Sequence, residues 1–261
     1  MLTIDTHCHV GLDWFEPVEV LLFQMERNQV DKAVLVQTWT FDNTYLVECL
    51  RRFPGRFAAV GHIDIRDPEA PSALERWARQ GLQGLRLSLL HQAEAPVPVS
   101  VLQKAAELGM VVSCMGLPRH YVSAAFSDMV EAAPDVPFMI EHLGYVKHDD
   151  PFSHKAFDEL LGLARYSNVF MKVPGLGELM PRPMPLTHPP FDLSKAPPFI
   201  DMAFDAFGAN RLTIGTDSPP SSHREGYGNV VRYLREYVGN RSREEQEAVF
   251  GGTALSLFRF A

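Results

Sequence analysis

Cysteine is scarce in this chain. Three thiols, Cys8, Cys49 and Cys114, are spread over 261 residues without a C-x-x-C pair. That is too few and too scattered for a disulfide framework, and it fits a reducing, cytoplasmic setting. No apolar run approaches the roughly 18 residues of a membrane span. Met1 leads directly into the first apolar run, with no basic stretch or secretory segment before it, so the expectation is a soluble, non-exported protein without a membrane partner. Positive charge is in deficit as well: 24 Lys and Arg against 32 Asp and Glu give a formal charge of -8. With no Lys/Arg cluster to reverse that balance, nucleic acid is not an expected partner. An early glycine-rich phosphate loop is missing, which removes the main dinucleotide-binding alternative. Internal repeats and low-complexity tracts are absent too. The partner that remains is a small molecule, and a homo-oligomer is left open.

What the chain does contain is alternation. It is 46% hydrophobic with 18 glycines and 20 prolines, the composition of an ordered globular chain. Short apolar, β-branched runs occur at Leu2–His9, Lys32–Gln37, Phe57–Ile63, Gly84–Ser88, Met110–Met115, Phe138–His142, Val169–Val173 and Leu212–Thr216. Between them Pro17–Asn28, Asp42–Phe53, Pro71–Gln80, Pro98–Leu108, Tyr121–Ala133, His154–Ala164 and Pro197–Phe207 carry helical spacing, with closing helices at Asn229–Val238 and Glu244–Phe258. Eight strands alternating with helices, in a length near the roughly 250 residues typical of the class, predict an α/β chain folded as one (β/α)8 TIM barrel over 1–261. The longest irregular stretch, Pro174–Ala196, is too long for a plain connection and reads as a lid after the seventh strand.

In such a barrel all strand C-termini open on one face, where active sites lie. The chemistry-bearing residues obey that rule. His7-Cys8-His9 closes the first run, and because residues two apart in a strand project the same way, both imidazoles aim at one spot while Cys8 turns away. Asp217 follows the eighth run, which neighbours the first in a closed barrel, so histidine and aspartate make a plausible metal shell or a water-activating base. His142 ends the sixth run as a further ligand or as a donor polarising a carbonyl. Its neighbour Glu141 should face the other side of the strand as a buried ion-pair partner. Arg86 interrupts the fourth run and faces either the barrel interior, as a fork for a carboxylate, or the helices. Lys172 in the seventh run is a substrate anchor or a barrel ion pair. Cys114 is most simply a small core residue. His62, His91 and His120 lie near the mouth without an assignable partner, and His148, His154 and His188 read as surface residues.

Taken in order, Ile4-Asp-Thr-His-Cys-His9, Gly84-Leu-Arg86, Glu141-His-Leu-Gly144, Met171-Lys-Val-Pro-Gly-Leu-Gly-Glu178, Ile214-Gly-Thr-Asp-Ser-Pro-Pro220 and Arg224-Glu-Gly-Tyr227 resemble the amidohydrolase superfamily. The resemblance is to amidohydrolase family 2, in the branch of the pyrone and sugar lactonases, and runs nearly end to end. It implies that His7 and His9 match the first-strand pair, His142 the sixth-strand histidine, Asp217 the eighth-strand aspartate, and Arg86 an arginine that contacts substrate carboxylate. Two departures narrow it. Ser113-Cys114-Met115 stands where a fifth-strand histidine would, and Leu85-Arg86-Leu87 where a carboxylated lysine would. The resemblance therefore implies one divalent metal ion, zinc, on His7, His9 and Asp217, joined by Cys114 if it points inward, or metal-free operation with the histidines as hydrogen-bond donors. The implied activity is hydrolysis of the ester of a small lactone or related carboxylated metabolite. Asp217 would be general base, His142, His7 and His9 would polarise the carbonyl, and Arg86, Arg224 and Lys172 would bind substrate. A decarboxylase of an unsaturated or aromatic acid and a non-catalytic binding barrel are the alternatives.

Overall fold

A computed structural model describes residues 1–91, 96–182, 184–185 and 191–260. Eight parallel strands form one sheet in sequential order: β1 Ile4–Cys8, β2 Lys32–Val36, β3 Phe57–Gly61, β4 Gly84–Ser88, β5 Val111–Met115, β6 Phe138–Ile140, β7 Val169–Val173 and β8 Leu212–Ile214. An isolated parallel bridge between Cys8 and Ser218 brings the segment after β8 onto β1 and closes the barrel. The expected TIM barrel is present, and every strand read from the sequence contains an observed one.

Side-chain alternation produces two cores. Val34, Val36, Ala58, Val60, Val111 and Met139 cluster with Phe258 from the closing segment, while Leu35, Leu85, Leu87, Val112, Cys114, Met171 and Val173 join the larger core shared with the helices. Cys114 thus faces the helices and not the mouth, as a small core residue. The helices shift from their expected bounds by a few residues. The Tyr121–Ala133 segment resolves into Pro118–Tyr121 and Ala124–Ala132, the second capped by the Ser123 hydroxyl accepting from the Phe126 amide. The last segment carries one π-helical turn, Ala248–Gly252, between Arg243–Glu247 and Thr253–Leu257.

Several strands stop earlier than the apolar runs suggest. β6 ends at Ile140 rather than His142, and β8 at Ile214 rather than Thr216. In both places the chain then enters left-handed backbone, at His142 (φ 50°) and at Asp217 (φ 55°), which no ladder can accommodate. Of the stretch read as a lid, residues 174–182, 184–185 and 191–196 are described and hold a short helix, Leu176–Leu179, and a 3₁₀ turn, Leu193–Lys195. Pro183 and residues 186–190, including His188, lie outside the described residues, as does the side chain of His91. No described helix is long and apolar enough to cross a membrane.

Gly215, between β8 and Asp217, is where the seam is tightest: a Cβ there would stand 2.8 Å from Cβ of His7. Replacing Gly215 with Ala should part the seam and destabilise the fold by about 1–3 kcal/mol, read as a lower midpoint in urea unfolding at an unchanged slope.

Candidate active site

The site grows out of the seam. Asp217 donates its amide to the His7 carbonyl at 2.9 Å, and His9 donates its amide to the Ser218 carbonyl at 2.7 Å. Below them the buried Asp5 carboxylate accepts from the Thr216 amide (2.9 Å), the Thr216 hydroxyl (2.6 Å), the His7 amide (3.1 Å) and the Cys8 thiol (2.9 Å). Cys8 is therefore turned away from the imidazoles, as the strand period requires. His7 Nε2 and His9 Nε2 stand 3.2 Å apart, and Asp217 Oδ1 lies 3.3 Å from the second and 3.9 Å from the first.

His142 joins this group because β6 breaks. Its ring centroid lies 4.3 Å from that of His7, and both of its buried ring nitrogens lack a hydrogen-bond partner. The segment His142–Tyr145 is left-handed throughout, at a cost on the order of 1 kcal/mol or more per non-glycine residue. That turn corrects one expectation. Glu141 and His142 do not face opposite sides; leaving the strand after Ile140 sends both into the mouth, with donor atoms close to His7. Burial pushes the His142 imidazole down to about 4, with Lys172 and Arg224 adding to the effect against Asp217 and Glu141. The ring is neutral at ordinary pH.

Glu141 is an ion-pair partner, as its position suggested. Arg86 faces the interior and grips it with two parallel bonds, Nε to Oε1 at 3.0 Å and Nη2 to Oε2 at 2.8 Å. The Ser113 and Tyr145 hydroxyls complete the carboxylate at 2.7 Å and 3.3 Å. Burial alone would raise Glu141, but Arg86 and Lys172 hold it well below the usual carboxylate range. Lys172, 1% exposed, also points inward and lies 3.0 Å from His7 Nδ1 and 3.3 Å from the Ser113 hydroxyl. Burial pushes its ammonium down to about 8.

Arg224 bridges Glu178 Oε1 at 2.8 Å and Asp217 Oδ2 at 3.2 Å. Glu178 carried no assignment in the sequence, although it lies inside the Gly-Leu-Gly-Glu motif. It reaches the site because Gly177 has no side chain: a Cβ there would meet a Glu225 carboxylate oxygen at 2.0 Å, and the Gly177 amide donates to that carboxylate. Burial, together with Asp217 and Glu225, raises the Glu178 carboxyl to about 8 against the pull of Arg224. For Asp217 burial also raises, but the His9 hydrogen bond and the fields of His142, His9 and Arg224 outweigh it and leave the group below its ordinary value.

His7, His9 and Asp217 suit a metal ion. A tetrahedral zinc with ligands at about 2.0–2.1 Å separates its donors by roughly 3.3 Å, close to the spacings given above. The Val36 carbonyl accepts from His9 Nδ1 at 2.7 Å, so that nitrogen carries a proton and fixes the ring with Nε2 towards Asp217, the usual support for an imidazole that ligates through Nε2. His7 is set by Lys172. An ammonium there donates to Nδ1 and leaves Nε2 with a proton to share with His9; a neutral amine accepts from Nδ1 and frees Nε2 for a metal.

A cavity of about 690 Å³ opens in front of His9 and Asp217, lined also by Arg86, His62, Trp14, Phe15, Trp39 and Phe41. Sequence reasoning missed these aromatic residues, which stand in loops whose convergence no periodicity reveals.

With this geometry in hand, the likeness to known proteins is extensive. Residues 4–260 match the amidohydrolase family, and the chain belongs to it. It is 26% identical over 251 residues to L-fucono-1,5-lactonase of Burkholderia ambifaria, an alignment covering 90% of this chain and 82% of that protein. The structure superposes with a TM-score of 0.80 on a Pseudomonas putida protein assigned as a 2-pyrone-4,6-dicarboxylic acid hydrolase, 26% identical and covering 100% of this chain and 98% of that one. A Burkholderia multivorans amidohydrolase crystallised with bound zinc superposes equally well, with a TM-score of 0.80, 24% identity and coverage of 98% and 99%.

Two outcomes test the electrostatics. Changing Arg86 to Met strands a buried carboxylate and should cost about 3–5 kcal/mol of unfolding free energy, most of it recovered when Glu141 is changed to Leu in the same chain; chemical denaturation of the single and double variants decides it. Glu178 binds its proton more tightly folded than unfolded, so its contribution is present below its unfolded value near pH 4 and is lost as the pH rises through about 8. Glu178→Gln should therefore flatten the fall in melting temperature between pH 5 and 9, measured by scanning calorimetry across that range.

Proposed function

We propose that the protein is a hydrolase that opens the ester ring of a small lactone at the barrel mouth. The observation that carries this reading is the meeting of three imidazoles and one carboxylate, with His9 and Asp217 on the wall of a cavity large enough for a ring-sized substrate and the fully buried His7 and His142 packed beside them. Asp217 is the general base: its carboxylate is held ionised by Arg224 and accepts the proton of the attacking water. Neutral His142, whose ring nitrogens make no hydrogen bond although Nδ1 lies 3.5 Å from Glu178 Oε1, donates one N–H to the carbonyl oxygen as negative charge grows there. Glu178, largely protonated, shares Arg224 with Asp217 and orients the base from behind.

His7, His9 and Asp217 would hold one divalent ion, and their imidazole-carboxylate donor set suits zinc. Such an ion supplies Lewis acidity and a more acidic water when bound. Arg86 and Lys172, read from the sequence as substrate-binding, already have Glu141 and His7 as partners. Their proposed part is to shape the cavity wall and to set the His7 tautomer. Both the lactonase of Burkholderia ambifaria and the pyrone hydrolase assignment support ester hydrolysis over decarboxylation. Three buried free thiols are consistent with action in the cytoplasm.

Asp217→Asn should lower kcat by at least about 100-fold with the circular dichroism spectrum unchanged, and hydrolysis in ¹⁸O-water should place one labelled oxygen in the hydroxy-acid product. Carbon dioxide release without label sinks the reading. Metal analysis of the purified protein should find about one zinc per chain, lost together with turnover on chelation and absent from His9→Ala.

A further inference from the structure

The mouth of the barrel is unusually rich in exposed aromatic surface. Trp14 is 68% exposed, Trp39 79%, Phe41 46% and Leu90 45%, and all four line the cavity that holds His9 and Asp217. Large apolar side chains gathered at one site and left uncovered mark a binding surface. Phe15 adds a second sign. It adopts φ 72°, a backbone conformation rare for a bulky residue, and in doing so lays its ring flat on His9, with centroids 5.0 Å apart and planes 15° apart. Strain held beside the reaction centre keeps an aromatic wall against it.

The charges say what this wall does not receive. Arg86 is the only Lys or Arg among the described residues that line the cavity. Each of its nitrogens already has a partner: Nε and Nη2 on Glu141, Nη1 on the Gln37 carbonyl at 3.4 Å. Arg224, which places Nη2 on both Glu178 and Asp217, does not line this cavity, and Lys172 is sealed beneath His7. A carboxylate entering the cavity would find no side-chain cation on its described wall other than the Arg86 already held by Glu141. Beyond the site residues, the described lining offers the Thr38 and Ser88 hydroxyls, the His62 imidazole and the indole N–H groups of Trp14 and Trp39, few acceptors for the hydroxyls of a polyhydroxylated ring.

Resting on the lactone reading above, we infer that the substrate is an uncharged lactone bearing an aryl or alkyl group, with that group packed between Trp14 and Trp39 and the ester facing His9 and Asp217. The substrate class differs from the carboxylated metabolite expected from the sequence. The reason is tertiary: the arginine that would take a carboxylate is spent on Glu141.

Three probes decide it with the full-length protein: dihydrocoumarin as the neutral aryl lactone, a polyhydroxylated sugar 1,5-lactone, and 2-pyrone-4,6-dicarboxylate. Turnover is followed by pH-stat and binding by calorimetry. Dihydrocoumarin should show the highest kcat/KM and the lowest Kd. Trp39→Ala and Trp14→Ala, both at exposed positions, should each raise KM and Kd for it by about tenfold while kcat changes little. Preference for the dicarboxylate or the sugar lactone overturns the inference while leaving the lactonase reading intact, and so does an unchanged Kd in both tryptophan variants. If dihydrocoumarin binds tightest and the variants weaken it but none of the three lactones is hydrolysed, the hydrolase reading fails and the inferred ligand class stands. Absence of dihydrocoumarin binding overturns the inference whichever lactone turns over.

Discussion

The seam between β1 and the segment after β8 is the constraint on which the rest depends. Two backbone bonds and the two Thr216 donors on Asp5 join residues 5–9 to residues 216–218, while the His7 amide and Cys8 thiol hold the same carboxylate from its own strand. Chain positions some 210 residues apart thereby become neighbours at about hydrogen-bond distance. A carboxylate fully buried and saturated with donors tolerates little displacement, since moving any partner leaves a desolvated charge without compensation. The same contact that closes the barrel therefore sets the His7, His9 and Asp217 spacing. Stability and the geometry of the proposed centre are one problem here, and Gly215 permits both by letting β8 approach His7.

Charge compensation is the second organising theme. Three cations and several carboxylates enter the mouth, and nearly every one is paired inside the protein: Arg86 with Glu141, Arg224 with Glu178 and Asp217, Lys172 with His7 and Ser113. Buried pairs of this kind add little net stability but are costly to break. Their effect is to hold His7 and Asp217 in defined positions and to keep Arg86 turned towards Glu141. Asp217 is the base that remains ionised because Glu178 takes the proton that the crowded carboxylates cannot all give up. The proposed hydrolysis uses that division of labour.

Much of this was legible along the chain. Strand positions, the barrel class and the one-sided placement of His7, His9, Arg86, Glu141, His142, Lys172 and Asp217 all follow from local periodicity, because a parallel barrel puts every strand end on the same face. The inward or outward choice for Arg86 and Cys114 did not follow, since a period of two leaves the phase open until neighbouring strands set it. Glu141 pointed to the wrong side for a different reason: the left-handed run His142–Tyr145 replaces the strand, and nothing in Glu-His-Leu-Gly announces it beyond Gly144. Phe15, Trp14 and Trp39 sit in loops and Glu178 in a single helical turn, Leu176–Leu179, where residue type carries no direction.

By itself, then, the sequence determined the architecture and the candidate chemistry, because hydrophobic period and the ends of strands are local properties that survive without knowledge of neighbours. Only the tertiary structure decided which charges are free. Whether Arg86 greets a substrate or holds Glu141, whether Lys172 touches solvent or His7, and whether the mouth favours an acid or a neutral aromatic ring depend on contacts between strands and loops distant in sequence. Coulombic and hydrogen-bond partners act over a few ångströms of space, and no spacing along the chain encodes that distance.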